Sequence, residues 1–267
     1  MIHIKRSPTP LDLLPNGISK GARETSVAIT HYYINKSTDK FPNYKVYQEA
    51  KPELAIMFND KCSYCESIIS HTQAMHVEHY RPKAEIKGET QPKPGYYWLA
   101  ADWDNLLLSC EKCNGQSHKG NHFPLKDPLK RVRDHTQDIK LEEPLLLNPC
   151  SHYPEMHLEF YENGEVKGIT VEGEQSVITY GLRRRKLIDA RARHYYEHIA
   201  LKFTILEIMI KSLDDGSDDP NVINSIRLLV NSLEQQQRKN AQFAQMCRQV
   251  IKDKFLTLIP SLKRYYI

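Results

Sequence analysis

The sequence predicts an α+β protein that is mostly helical, and three observations carry that expectation. Residues 61–126 concentrate four of the six cysteines together with a dense set of polar residues, as a compact metal-dependent module would. Apolar and polar residues alternate on either side of Asn163-Gly164, a turn dipeptide that favours a β-hairpin. From about Ser176 onward, apolar residues recur every three or four positions, the period of amphipathic helices. Four segments follow: helices over 1–60, the cysteine-rich module over 61–126, a connecting segment with the hairpin over 127–180, and a helical region over 181–267.

The composition suits a soluble chain. It has 267 residues, 40% of them hydrophobic, and a net charge of +4. That mildly basic balance permits a polyanionic partner without demanding one. "MIHIKRSPTP" never reaches the sustained apolar run of a signal peptide, and nothing approaches a membrane span of roughly 18 apolar residues. A cytoplasmic location is the expectation, with the cysteines as reduced thiols or metal ligands.

In the first segment Val46, Ala50, Leu54, Met57 and Phe58 mark one helical face, and Pro52 either kinks that helix or starts a second one. In the last, Tyr196, Ile199, Phe203, Leu206, Ile210 and Leu213 form an apolar stripe. "DDGSDDP" breaks it as a solvated turn at 214–219, and Asp219-Pro220 starts the next helix. Ile223, Ile226, Val230 and Leu233 mark that one. Phe243, Met246, Val250, Lys254 and Phe255 predict a third, ended by Pro260. Such stripes either bury one another as a bundle or serve as docking faces for partner helices.

Cys62-x2-Cys65 and Cys110-x2-Cys113 are two knuckles 44 residues apart, and together they make a tetrahedral four-thiolate zinc site. A redox CxxC is the rival, but a pair of them around a histidine-rich stretch favours zinc. Such a closed site leaves no position for substrate, so this zinc is structural. Cys150 and Cys247 lack partners at ligand spacing and are expected to be buried small residues.

Between and after the knuckles run "HVEHYRPK" and "WDNLLLSCEKCNGQSHKG", with Glu78, His79, Asn105, Asn114 and His118 in order. On a strand the adjacent Glu78 and His79 point to opposite faces and cannot share a partner. This stretch resembles the HNH endonuclease family, within it the retron- and Septu-associated (PtuB-like) nucleases of anti-phage defence. The resemblance is densest over 58–126 and runs more weakly through "LLLNPC", "HLEFYENGEVKGI" and "GLRRRKLIDARA".

The resemblance implies a zinc-stabilised ββα-metal (HNH, His-Me finger) module that hydrolyses phosphodiester bonds, in DNA more readily than RNA. Glu78 would hold Mg²⁺ or Mn²⁺, and His79 would be the general base. Asn105 would brace the loop that carries the base. Asn114, His118 one turn further along the same helical face, or both would complete the ion's shell, with the Asn114 oxygen the first choice and His118 a second ligand or a phosphate contact. The implied partners are an ABC-type ATPase (PtuA-like) and, in retron systems, a reverse transcriptase with its RNA and DNA. Arg81 and Lys83 are either phosphate contacts or ordinary surface cations. In "LRRRKLIDARAR" the cations Arg183, Arg184, Arg185, Lys186, Arg191 and Arg193 either neutralise phosphates or pair with neighbouring acids on a solvated helix. The competing functional class is a zinc-ribbon adaptor for nucleic acid or protein, with a vestigial nuclease site.

Overall fold

The computed structural model describes the backbone of every residue except 42, 70–73, 216–218 and 267, and their side chains except 214, 257 and 259–266. It is a mixed α and β chain, about half helical. The first residues, Met1, Ile2 and Ile4, are buried, and the Ile4 amide donates to the Pro149 carbonyl. Helix α1 (Lys20–Ile29) begins at Ser19, whose side chain caps the Ala22 amide. A 3₁₀ turn at Val46–Ala50 runs into α2 (Lys51–Phe58). Pro52 sits in the first turn of α2, where its missing N–H costs nothing, so it starts a helix rather than kinking one. The face marked by Ala50, Leu54 and Phe58 is buried.

Two antiparallel strands carry the centre of the molecule. In β1 (Met75–His79) and β2 (Leu106–Cys110), Glu78 lies opposite Leu107 and His79 opposite Leu106. The chain then turns directly into a short helix, α3 (Glu111–Asn114). All of β2 is buried, because α2 packs against one side of the pair. Cores of this kind leave little room for polar groups, so those they do contain must be explained by partners.

The expected hairpin is present as β3 (Leu158–Phe160) and β4 (Val166–Gly168). Gly164 has φ +83°, and a Cβ there would lie 2.2 Å from the Ile188 carbonyl oxygen, so the turn needs glycine on both counts. The free edge of β3 is closed by one side chain. Gln249 Oε1 accepts from the Phe160 amide at 2.8 Å, and its Nε2 donates to the Leu158 carbonyl at 2.8 Å. This side-chain pairing takes the place of a third strand.

Helices α4 (Val171–Thr179), α5 (Arg185–Tyr195), α6 (Leu201–Asp214), α7 (Pro220–Gln236) and α8 (Ala244–Tyr266) complete the chain. A widened helical turn, Tyr196–Ala200, joins α5 to α6 without a break. Ile199, Phe203, Leu206, Ile210 and Leu213 are buried as expected, but Tyr196 is 61% exposed. The wide turn holds the spacing of core residues at four, so Tyr195 rather than Tyr196 packs inward. Asp219 caps α7 through the Asn221 amide. The proposed turn at 214–219 falls partly outside the described residues. The third helix does not end at Pro260: α8 continues to Tyr266, since a proline removes one helical hydrogen bond without forbidding continuation.

The three stripes bury one another. Ile226, Val230 and Leu233 of α7 and Met246, Val250 and Ile251 of α8 join the α6 stripe in the same core as the strands and α2. Among the described residues no helix is long and apolar enough to cross a membrane.

Candidate active site

Cys62 and Cys65 lie in the turn before β1, and Cys110 and Cys113 span the junction of β2 and α3. The Ser63 amide donates to the Leu108 carbonyl at 2.8 Å, tying the first knuckle to β2. All four cysteines are buried, and their sulfurs lie within 4.8 Å of one another. Four thiolates about 2.3 Å from a zinc ion stand about 3.8 Å apart, and the Cys65 and Cys110 sulfurs are 3.9 Å apart. The Cys113 amide points at Cys110 Sγ, 3.4 Å away. The donor set therefore fits zinc. Cys247 is buried and Cys150 half-buried, both away from this cluster.

A cleft of about 350 Å³ opens beside it, lined by His76, Glu78, His79, Lys83 and Asn114 among others. Strand β1 supplies the first three, and Asn114 is the last residue of α3. Glu78 and His79 are 5% and 6% exposed, although both are polar. Each has fixed partners.

His79 Nε2 lies 2.9 Å from the Ala100 carbonyl oxygen. A carbonyl only accepts, so Nε2 carries the proton and Nδ1 keeps its lone pair. Burial holds the imidazole well below its ordinary pKa, with the Lys83 charge adding to the effect. The ring is therefore neutral, with the lone pair on Nδ1. Tyr47 packs against it edge-on, with ring centres 4.6 Å apart, and Lys83 Nζ sits 3.3 Å from Nδ1. Burial brings Lys83 down to about 8.

Asn105 sits at the entrance to β2 and ties two loops together. Its Oδ1 accepts from the Arg81 amide at 2.7 Å, and its Nδ2 donates to the Arg81 and Leu99 carbonyls at 3.0 and 3.1 Å. Arg81 follows His79 by two residues, and Leu99 precedes the Ala100 that holds the imidazole. The amide thus fixes both backbones that orient the imidazole.

The residue that sequence reasoning missed is Lys119. Its side chain is fully buried and forms an ion pair with Glu78 Oε1, and it donates to the His79 carbonyl at 2.8 Å and to Gly120 at 3.3 Å. Burial raises the Glu78 pKa, and Lys119 opposes that rise. A lysine in a Gly-rich polar stretch carries no sequence signal of burial. Tyr47, from the 3₁₀ turn before α2, and Gln116, two residues beyond α3, also line the cleft.

Other expected site residues lie elsewhere. Helix α3 ends at Asn114, because Gly115 is extended, so His118 does not continue its face. The His118 ring instead packs on Gly181, where a Cβ would lie 1.8 Å from Cδ2, and it is not among the cleft-lining residues. Arg81 donates to Glu142 Oε2 at 2.9 Å and stacks near Tyr80 and Phe123. Arg183 makes a two-pronged contact with Glu174 at 2.6 and 2.8 Å. Arg184 reaches the zinc-site sulfurs, and Arg185 pairs with Asp189 at 3.0 Å. The basic run is not one helical surface: α5 begins at Arg185, and Arg191 is 1% exposed.

Three curated proteins are similar to this chain. Septu protein PtuB of Bacillus mycoides (strain KBAB4) is 36% identical over 270 residues, covering 95% of this chain and 90% of that protein. Septu protein PtuB of Bacillus thuringiensis is 29% identical over 180 residues, 66% of this chain and 52% of that protein. Septu protein PtuA of Bacillus mycoides (strain KBAB4) is 33% identical over 144 residues, 52% of this chain and 20% of that protein. No protein-family model matches the chain.

Proposed function

The chain belongs to the Septu PtuB family, and on that premise we propose that it is a metal-dependent HNH-type endonuclease acting in anti-phage defence with a PtuA-type partner. One observation supports the reading above the rest: a buried, neutral His79 presents Nδ1 to a cleft that also holds Glu78, Lys83 and Asn114.

Each group has work to do in phosphodiester hydrolysis. His79 Nδ1 takes a proton from the attacking water while Ala100 and Asn105 hold the ring in place. Lys83, beside that nitrogen, meets the negative charge of the scissile phosphate. Glu78 and Asn114 offer oxygen atoms, which suit Mg²⁺ or Mn²⁺, and both line the cleft, whereas the His118 ring packs against Gly181. Such a cation, when bound, stabilises charge on the phosphate and on the leaving 3′ oxygen. Lys119 keeps the Glu78 carboxylate oriented. DNA is the favoured substrate.

The test is incubation of purified protein with Mg²⁺ or Mn²⁺ and either plasmid DNA or total RNA, with and without the co-expressed PtuA-type protein. Wild-type protein should cut and His79→Ala should not. Intact nucleic acid under every one of these conditions would move the reading to the zinc-ribbon adaptor.

A further inference from the structure

A zinc ion held by four thiolates carries a net charge of −2, and burying such a centre is costly unless hydrogen-bond donors and cations share the charge. The Cys113 amide and Ser67 supply neutral contacts at 3.4 Å to Cys110 and 3.3 Å to Cys65. Arg184 supplies a cation. Its Nη1 is 3.4 Å from Cys113 Sγ and its Nη2 is 4.0 Å from Cys110 Sγ, with Nη1 also donating to the Gly181 carbonyl at 3.0 Å.

The position of Arg184 in its own helix makes the contact more informative. It is the N-cap of α5 and makes no side-chain capping bond. Helix starts favour Ser, Thr, Asp and Asn, and a cation there opposes the helix dipole. Arg183, Arg184 and Arg185 together are therefore a poor opening for α5 taken by itself. Beside a dianionic centre the arrangement makes sense: the guanidinium is placed on the sulfurs rather than on its own helix. Helix α5 is also the element that enters the C-terminal bundle, through Leu187 and the wide turn to α6.

The first knuckle meets the same helical region through its flanking residues. Glu66, next to Cys65, accepts from the Gln245 amide at 3.3 Å through its side chain and from the Phe243 amide at 3.3 Å through its carbonyl. Lys61, before Cys62, donates to the Ala241 carbonyl at 2.7 Å. Both knuckles thus bind the helical region as well as one another.

We propose that Arg184 is the charge-compensating partner of the zinc tetrathiolate, and that through it zinc occupancy clamps α5 and the C-terminal bundle onto the cleft module. This inference does not depend on the nuclease reading. It assigns Arg184 to the metal centre and removes it from any nucleic-acid surface.

The test uses the full-length, zinc-loaded chain. Zinc release to an excess of chelator, followed with a metallochromic indicator, should be at least tenfold faster in Arg184→Met, intermediate in Arg184→Lys, and unchanged in Arg185→Met. Substitution with Co²⁺ gives a readout that a merely structural role would not move. Loss of the cation raises the energy of the thiolate lone pairs, so the sulfur-to-cobalt charge-transfer band should shift to longer wavelength in Arg184→Met. Hydrogen exchange should show the amides of α5 losing protection when zinc is stripped from the wild type. Should Arg184→Met not fold, Arg184→Lys carries the release and spectral comparisons. Wild-type release and band position in the Arg184 variants, or equally fast release from Arg185→Met, would overturn the proposal.

Discussion

The ammonium of Lys119 is buried against the carboxylate of Glu78, joining the loop after α3 to the end of β1 beneath the cleft. Its remaining donors go to the His79 and Gly120 carbonyls, so the charge has fixed neighbours on every side. Removing one partner of such a pair strands the other without water. Lys119→Met should therefore cost about 3–5 kcal/mol of stability, and adding Glu78→Gln should recover part of that loss. Urea unfolding of the two variants measures both effects. A single variant as stable as wild type would mean that the pair is not formed.

His79→Ala should lower cleavage by roughly 10²- to 10⁴-fold, the usual contribution of a general base, while leaving zinc content unchanged. Asn105→Ala should act on the same step indirectly. It leaves the Arg81 amide and two carbonyls without their partner, at a cost of about 1–3 kcal/mol, and frees the loop that holds the imidazole. Activity assays paired with thermal melts check both. An Asn105→Ala protein that melts lower but cuts at full rate would remove the bracing role.

Cys62→Ser and Cys113→Ser should each lose zinc and unfold the module, because metal-binding energy in such centres is folding energy. Metal analysis of the wild type should find about one zinc per chain. An unchanged melting profile in zinc-free protein would falsify the structural role.

Acid should destabilise the chain through His194. Burial, reinforced by His198 beside it, holds its imidazole down from 6.5 to about 4. A depressed folded-state pKa gives stability that is fully present above the unfolded value and lost as pH falls toward the folded one. The loss attributable to His194 should therefore fall between pH 6.5 and about 4, and His194→Gln should flatten the pH dependence across that window. Urea midpoints at several pH values give the slope, and an identical slope in the variant would exclude this group as a source.

Gly164→Ala should destabilise the hairpin. The backbone there has φ +83°, and the added Cβ would meet the Ile188 carbonyl of α5 at 2.2 Å. Strain of this kind exceeds the roughly 0.4–1 kcal/mol that the loss of glycine freedom returns. A melting temperature at or above wild type would show that the turn can move away from α5.

Local chemistry was legible in the sequence wherever it is written at short range. The CxxC pairs converge because each knuckle brings two sulfurs together by itself. Asn163-Gly164 turns the chain, Asp219 and Pro220 open a helix, and Glu78 and His79 fall at a strand end as their spacing suggested. The order of His79, Asn105 and Asn114 could likewise be read directly, as could the apolar stripes that close the bundle.

Tertiary structure alone decided which polar side chains those elements would trap. Lys119 reaches the His79 carbonyl across 40 positions, and Arg184 reaches Cys113 across 71. Neither lies in a periodic pattern, so nothing nearby distinguishes them from surface cations. His118 lost its expected place because Gly115 ended α3 and Gly181 left room for the ring elsewhere. Burial of a charge depends on what packs over it and what answers it, and both are supplied by residues distant in sequence. That is the physical reason the sequence could point to His79 and the four cysteines but not to the buried Lys119 or the half-buried Arg184 beside them.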